Sequence, residues 1–362
     1  MSLTEKFGDS RYNRSSSVSE PILRVRNLKK HFPVPQAFID RVRGIPSPKV
    51  VSLDGVSFDL MPTESLGIVG ESGCGKSTLA RCLVFLHRVD EGRIEFEGSD
   101  VTQASGMALR QVRSRMQMVF QDPYSSLNPR MTVGAAIAES ARFHKKILNG
   151  DNEETYVRRL LQLTGLTPGT AMKRPNALSG GQRQRVALAR ALAVEPSVII
   201  ADEIVSALDV SIQAQILNLL EELKTELGLA IVFISHDLAV VANTTDRIAV
   251  MYLGRIIEEG PTSVVFQDPQ HPYTKALIAA HPDPDMDTKT DMNPLIGEIP
   301  SPLAIPHGCR FRTRCAFAEE ICSEVEPELL HMPGRAIGHK VACHIVPFIG
   351  EYFPIDNQKR SN

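Results

Sequence analysis

The chain has 362 residues, 43% hydrophobic and 23% charged, a length and composition that suit about two soluble globular domains. Its 40 Lys and Arg against 42 Asp and Glu leave a formal net charge of −2, so no basic excess marks nucleic acid as a partner. No apolar run approaches the ~18 residues that span a bilayer, and Met1–Glu20 is polar and serine-rich without a signal-peptide core, so the expectation is a cytoplasmic protein whose membrane role, if any, comes through a partner.

Residues 1–20 read as a disordered tail. Ile22–Leu28 has a mostly alternating apolar pattern and predicts an edge-type strand; Phe32 follows, then a loop holding Pro33, Pro35, Pro46 and Pro48 that excludes a regular element. Val50–Leu60 alternates again and predicts a second strand. A third, Leu66–Val69, runs into Gly70-Glu71-Ser72-Gly73-Cys74-Gly75-Lys76-Ser77-Thr78 and then a helix over Leu79–Leu86. Strand, glycine-rich turn and helix is the context a phosphate-binding loop requires. The glycines let backbone N–H groups close on an anion, and the helix adds the positive end of its dipole. Lys76 would reach the β- and γ-phosphates of a nucleotide and the Ser77 hydroxyl would sit on Mg²⁺.

Further along, Ile94–Gly98 predicts a short strand or hairpin end, Arg110–Arg115 a basic helix, and Met116–Phe120 a strand ending at Gln121-Asp122-Pro123. From about 124 to 178 the character changes: Val133–Phe143 and Glu153–Leu163 carry helical spacing and read as a helical insert. The α/β pattern resumes with a helix over Gln182–Leu192 and a strand over Val198–Ala201 that ends in Asp202-Glu203. Ser211–Leu227 is the clearest amphipathic helix, with Ile212, Ile216, Leu219, Leu220, Leu223 and Leu227 on one face. Ala230–Ile234 is a buried strand ending at Ser235-His236-Asp237, and Ile248–Tyr252 with Arg255–Glu259 predicts a closing hairpin. Alternating strands and helices imply a mainly parallel, doubly wound sheet with its site at the strand C-termini. Proline, histidine and cysteine become dense after Gly260, which sets a domain boundary near 260–285.

Three strands thus end in polar groups suited to nucleotide hydrolysis. Asp202 would support the metal, Glu203 would polarise the attacking water, and Gln121 and His236 would contact Mg²⁺, water or the γ-phosphate. Leu178-Ser179-Gly180-Gly181-Gln182 precedes a helix, with Ser179 as N-cap, and forms a second anion site at a helix N-terminus. Two such sites flanking a helical insert suggest a head-to-tail dimer, each subunit closing on the other's nucleotide.

With these motifs in this order, the chain resembles the ATP-binding cassette (ABC) ATPases over roughly residues 22–260. Residues 70–78 look like their Walker A motif, Gln121 like the Q-loop, 178–182 like the signature, and Val198–Glu203 like Walker B. Ser206-Ala207-Leu208-Asp209 is similar to the D-loop, His236 to the switch histidine, and Phe32 to the aromatic stacked on adenine. Ile204 departs from the Pro usual after the glutamate. The resemblance implies a P-loop core, a parallel sheet plus an antiparallel β-subdomain, using ATP and Mg²⁺.

Phe120–Pro129, His271–Leu277 and Gly297–Leu303 further resemble the dipeptide/oligopeptide importer branch, and the proline loop after Phe32 resembles its F-type ATPase subunit. That implies a peripheral subunit at the cytoplasmic face of the membrane, with a homologous second ATPase, two permeases and an extracytoplasmic solute-binding protein. The alternatives are an importer ATPase for nickel, a glycan or another solute, a soluble ABC ATPase acting on nucleic acid or ribosomes, and a regulatory module with a dead site. The single cassette, the lack of basic excess and intact Lys76, Glu203 and His236 argue against the last two. Within 261–362, Cys309, Cys315, Cys322 and Cys343 are separated by 5, 6 and 20 residues. Four thiolates match the ligand count of zinc or a [4Fe–4S] cluster, and the lack of tight pairs favours the cluster; buried unligated thiols are the alternative. Some members of the importer branch carry [4Fe–4S] at cysteines placed like these.

Overall fold

Short apolar runs become strands and runs with helical spacing become helices, as their side-chain periods require. The structure is a computed structural model that describes residues 20–35, 47–122, 127–144, 146, 152–280, 297–332 and 338–346. The serine-rich tail before Glu20, most of the proline loop, and Pro123–Ser126 of the branch motif lie outside the described residues. The elements begin with β1 (Leu23–Pro33), β2 (Lys49–Leu60), β3 (Ser65–Val69), α1 (Lys76–Leu83), β4 (Glu91–Phe96), β5 (Ser99–Asp100), α2 (Gly106–Arg115) and β6 (Met116–Val119). They continue with α3 (Val133–Phe143), α4 (Glu153–Leu163), α5 (Gly180–Leu192), β7 (Val198–Asp202), α6 (Val210–Leu227), β8 (Ala230–Ile234) and α7 (Leu238–Thr244). The last are β9 (Arg247–Tyr252), β10 (Arg255–Pro261), α8 (Thr262–Gln267), α9 (Pro272–Ala279), α10 (Ile321–Glu324), β11 (Leu330–His331) and β12 (Lys340–Val341).

Three expectations shift. The helix after the glycine-rich loop starts at Lys76 and ends at Leu83, because Phe85 turns into the left-handed region (φ 59°) and leaves Leu86 exposed. The helix after the 178–182 motif starts at Gly180, inside the motif, where a capping box initiates it. The first strand runs on to Pro33 and so includes Phe32.

The chain forms two compact units of interleaved segments: Met1–Arg24, Asp59–Glu64 and Ile94–Val232 in one, Val25–Phe58, Ser65–Arg93 and Phe233–Asn362 in the other. In the first, β6 and β7 are parallel, with Met116 opposite Val198 and Val119 opposite Ala201. The start of β8 lies beside them, Ala230 donating to the Ser197 carbonyl at 3.0 Å. Every residue of β7 and β8 is buried, as parallel strands covered on both faces require. On α6, Ile216, Leu219, Leu220 and Leu223 are buried, whereas Ile212 and Leu227 at the ends of the expected stripe are only half-buried. The helical insert packs within itself and on α5: Tyr156 donates to the Ala193 carbonyl at 2.9 Å, and Lys146 pairs with Glu195 at 2.9 Å.

In the second unit β3 is parallel to β9, and β9 and β10 form the expected antiparallel hairpin about Leu253 and Gly254. The expected boundary near 260–285 does not separate compact units. β12 pairs with β10 (Glu258 opposite Val341) and β11 with β12, so the C-terminal segment extends the sheet to which the loop strand belongs. Glu258 anchors this arrangement from a fully buried position. It accepts the Gln270 N–H at 2.8 Å and the His271 N–H at 3.0 Å, and lies 2.8 Å from His339 Nε2. His271 in turn caps α9, its Nδ1 accepting the Tyr273 N–H at 3.0 Å.

Burial pushes the His271 imidazole down to about 4, against the opposing pull of Glu258. An unfolded histidine titrates near 6.5, so the unfolded chain binds the proton first. Stability is therefore full above that value and falls as pH drops through the window toward about 4. Urea midpoints measured across this window should slope downward toward acid, and His271→Gln should flatten the slope.

Candidate nucleotide site

The phosphate-loop segment sits between β3 and α1, and its shape depends on close backbone approach. A Cβ on Gly70 would lie 2.2 Å from the Met251 carbonyl oxygen, and one on Gly75 2.3 Å from that of Ser52; Gly75 also has φ 110°. Only glycine fits at either position. The loop is tied to the β9–β10 turn, where Gly254 N–H donates to the Cys74 carbonyl at 2.9 Å, and Ser52 Oγ donates to Thr78 Oγ1 at 2.8 Å. Lys76 is 5% exposed and curls back into the loop, Nζ donating to the Gly70 carbonyl at 2.7 Å and the Glu71 carbonyl at 3.1 Å. Cys74 is buried with Sγ 3.8 Å from that ammonium; burial pushes its thiol pKa up, so it fills space as a neutral group. Ser72 and Gly73 are exposed, while Ser77 and Thr78 are half-buried.

Glu71 has partners that no local pattern announces. Its N–H donates to the Tyr273 hydroxyl at 2.8 Å, and its carboxylate takes both terminal nitrogens of Arg314, at 2.6 and 3.0 Å. The Glu71 interaction holds the Arg314 guanidinium above its ordinary pKa. Tyr273 lies in a segment already marked by the branch resemblance, and Arg314 stands next to Cys315; neither is singled out by its chemistry in the sequence. In the same unit His236 is exposed just beyond β8, in a turn fixed by Asp237, whose N–H donates to Ser235 Oγ at 2.9 Å and whose carboxylate caps α7. Phe32 is half-buried in β1, edge-on to His87 at 5.3 Å with Lys30 Nζ 5.3 Å from its ring centre.

The first unit gathers the other group. Parallel β6 and β7 end side by side, so Gln121 and Asp202-Glu203 leave the same sheet edge. Ser206 joins them: its Oγ donates to the Glu203 carbonyl at 2.9 Å and accepts from Gln121 Nε2 at 3.4 Å. Asp202 is 5% exposed, and Glu203 is half-buried with φ 49°, a left-handed conformation that costs a non-glycine residue on the order of 1 kcal/mol or more. Ile204, 1% exposed, bears on this directly, since a proline there would drive residue 203 toward extended backbone. Ser179 and Gln182 close a capping box: Ser179 Oγ accepts the Gln182 N–H at 3.3 Å, and Gln182 Oε1 accepts the Ser179 N–H at 3.1 Å. Two donors of this helix start are therefore taken up internally. Gly181 packs under α6, where a Cβ would lie 2.6 Å from Ile212 Cγ2. Asp209 is exposed at the start of α6.

The four C-terminal cysteines do meet. Cys309, Cys315, Cys322 and Cys343 line one cavity together with His271, Phe311, Phe317 and His344. Burial pushes the Cys309 thiol up to about 11 and raises Cys315 and Cys343 as well. Yet among the described residues no group of three or more His, Cys, Asp or Glu is arranged to hold a metal ion. The nearby histidines are engaged elsewhere: His307 with the Ser323 carbonyl, His339 with Glu258 and His344 with the Val325 carbonyl. The expected metal or cluster site is thus, in this structure, a cavity shared by four free cysteines.

A parallel sheet with a glycine-rich loop ahead of α1, a helical insert and an antiparallel hairpin is the architecture of an ATP-binding cassette ATPase. A dimeric ATP-binding cassette in a post-hydrolysis state bound to ADP and Pi is similar at TM-score 0.58 and 27% identity, covering 66% of this chain and 98% of that one. The structure of cbiO1 from Clostridium perfringens, part of the ABC transporter complex cbiONQ, is similar at TM-score 0.57 and 29% identity, covering 69% of this chain and 92% of that one.

The chain belongs to the ABC transporter family of ATP-hydrolysing, ATP-binding proteins. The ABC transporter family matches residues 53–206, and the oligopeptide/dipeptide transporter C-terminal region matches 257–322. A probable peptide ABC transporter ATP-binding protein of Sinorhizobium fredii is 49% identical, with 91% of each chain covered. The oligopeptide transport ATP-binding protein AppF of Bacillus subtilis is 47% identical over 90% of this chain and 98% of that one. OppF of Salmonella typhimurium, named likewise, is 44% identical over 89% and 95%. Among the described residues no helix is long and apolar enough to cross a membrane.

Because Gly75 combines a left-handed backbone with a 2.3 Å approach to a carbonyl oxygen, Gly75→Ala should destabilise the chain by about 2–4 kcal/mol and weaken ATP at least about ten-fold. Denaturant unfolding and equilibrium nucleotide binding check the two effects.

Proposed function

We propose that this chain is the ATP-hydrolysing subunit of a membrane importer for di- or oligopeptides. The observation that carries the reading is the second family match, over 257–322, joined to relatives named for peptide transport that align along nearly the whole chain. In this reading Lys76 and Ser77 hold phosphates and Mg²⁺, with the backbone of 70–78 and the ring of Phe32 completing the nucleotide contacts. Asp202 supports the metal, Glu203 is the base, and Gln121 and His236 couple the γ-phosphate to closure. Ser179–Gln182 and Asp209 act on the nucleotide of a second, homologous ATPase, with a heterodimer the expected arrangement. Two permeases and an extracytoplasmic solute-binding protein complete the complex, with this chain at the cytoplasmic face. The half-buried Glu203, next to buried Asp202 and linked to Gln121 through Ser206, supports a base held beside the metal ligand.

Glu203→Gln should bind ATP with near wild-type affinity in the assembled complex while turnover falls by about a hundred-fold or more. Wild-type turnover by that variant removes Glu203 from the mechanism. Uptake of labelled peptide by cells lacking the native subunit should return with the wild-type chain and not with Glu203→Gln; absence of peptide uptake with intact ATPase would assign another solute.

The four cysteines are proposed, on their number and shared cavity, as ligands of a [4Fe–4S] cluster, with zinc as the alternative. Burial that raises the Cys309, Cys315 and Cys343 thiols works against metal, so binding requires those sulfurs to deprotonate. Iron and zinc analysis of anaerobically purified protein should find one of them in stoichiometric amount. If neither is found, the cysteines are structural thiols.

A further inference from the structure

Glu71 is the point where the phosphate-binding loop meets the C-terminal segment. Three of its groups are engaged at once. The N–H donates to the Tyr273 hydroxyl, the carboxylate is forked by Arg314, and the carbonyl accepts from Lys76 Nζ. Neither C-terminal partner is a loose surface side chain. Tyr273 is fully buried, with its ring 4.7 Å from Tyr252 and 5.5 Å from Phe311. Arg314 is 9% exposed, and its guanidinium lies 5.9 Å from the Tyr252 ring centre and 6.0 Å from that of Phe311. An aromatic platform therefore holds both the Tyr273 acceptor and the Arg314 donor against the loop.

We propose that Arg314 and Tyr273 are positioning residues for nucleotide binding, so that the C-terminal segment sets the ATP affinity of the loop. This rests on the reading of 70–78 as the phosphate-binding loop. Two physical effects act together. A carboxylate in a loop that receives a polyphosphate repels it, and the bidentate Arg314 pair neutralises that carboxylate. The tyrosine fixes the Gly70–Glu71 peptide, whose Gly70 carbonyl accepts from and orients the Lys76 ammonium. Elsewhere the loop is held by the close approach of Gly70 to Met251 and by the bond from Gly254 to Cys74, while Gly73 has nothing within 4 Å of a built Cβ. Without the Tyr273 acceptor and the Arg314 donors, the Glu71 N–H and carboxylate lose their ties to the C-terminal segment.

The test measures MgATP affinity of the full chain and steady-state kinetics of the assembled transporter. Arg314→Leu should weaken ATP about ten-fold or more, and Arg314→Lys should recover part of the loss. Tyr273→Phe, which keeps the ring packing, should weaken ATP about five-fold. Both should raise KM with kcat at saturating ATP within about two-fold, the signature of lost binding. Adding Glu71→Gln to Arg314→Leu should return affinity toward wild type, because the unpaired carboxylate is gone. A purely structural role predicts a lower Tm and a smaller active fraction with KM unchanged. ATP affinity within two-fold of wild type in both Tyr273→Phe and Arg314→Lys overturns the proposal, whether or not Arg314→Leu folds. Lys76→Ala is the separate control: if it binds ATP like wild type, the reading of the loop fails instead.

Discussion

The second unit is built around a constraint on distance. The loop from Gly70 to Gly75 has to pass so close to neighbouring backbone that no side chain fits at either of those glycines. The neighbours are Met251 at the end of β9 and Ser52 in β2, so strands distant in sequence become walls of the loop. That closeness lets the Gly254 N–H reach the Cys74 carbonyl, and Asp54 N–H reach the Gly254 carbonyl at 2.9 Å in turn. The loop's conformation is therefore a property of the packed unit as much as of its own glycines.

Buried charge reinforces the same region. Arg310 donates to the Leu253 carbonyl at the tip of the hairpin and pairs with Asp54 and, at 2.7 Å, with Glu326. Burial pushes the Asp54 carboxyl up, but Arg310 and Arg255 outweigh it and hold it below the usual carboxylate range. Together with Glu258, which ties β10 to α9 and His339, these groups fasten the C-terminal segment to the sheet at several points. Buried ions contribute little net stability, but breaking one partner is costly, so such a network specifies one arrangement.

Much of the architecture was legible along the chain because its signals are local. Val133–Phe143, Glu153–Leu163 and Ala230–Ile234 have the same ends in the structure as in the periodicity. The errors fall where local signals compete. Apolar Val84, Phe85 and Leu86 extend the helical pattern past Leu83, but the chain turns through a left-handed Phe85. Gly180 and Gly181 look like loop, but the Ser179–Gln182 capping box starts the helix through them. The candidate residues Lys76 and His236 in the second unit, and Asp202 and Glu203 in the first, are marked in the sequence by strand ends and the glycine-rich motif. Ser206, which bridges Gln121 and the Glu203 carbonyl, has no pattern that marks that role.

The amino-acid order by itself determined the strand–loop–helix unit, the strands ending in Asp202, Gln121 and His236, and the family, because hydrophobic period, glycine placement and motif spacing act over a few residues. Only the tertiary structure decided that the C-terminal segment shares a compact unit with the phosphate-binding loop. Arg314 and Glu71 are 243 positions apart, and Tyr273 and Glu71 are 202 apart. No local preference encodes such a pair; it exists because β9, β10, α9 and the turn at Arg314 pack into one unit and bring the Arg314 donors to the Glu71 carboxylate and the Tyr273 acceptor to its N–H.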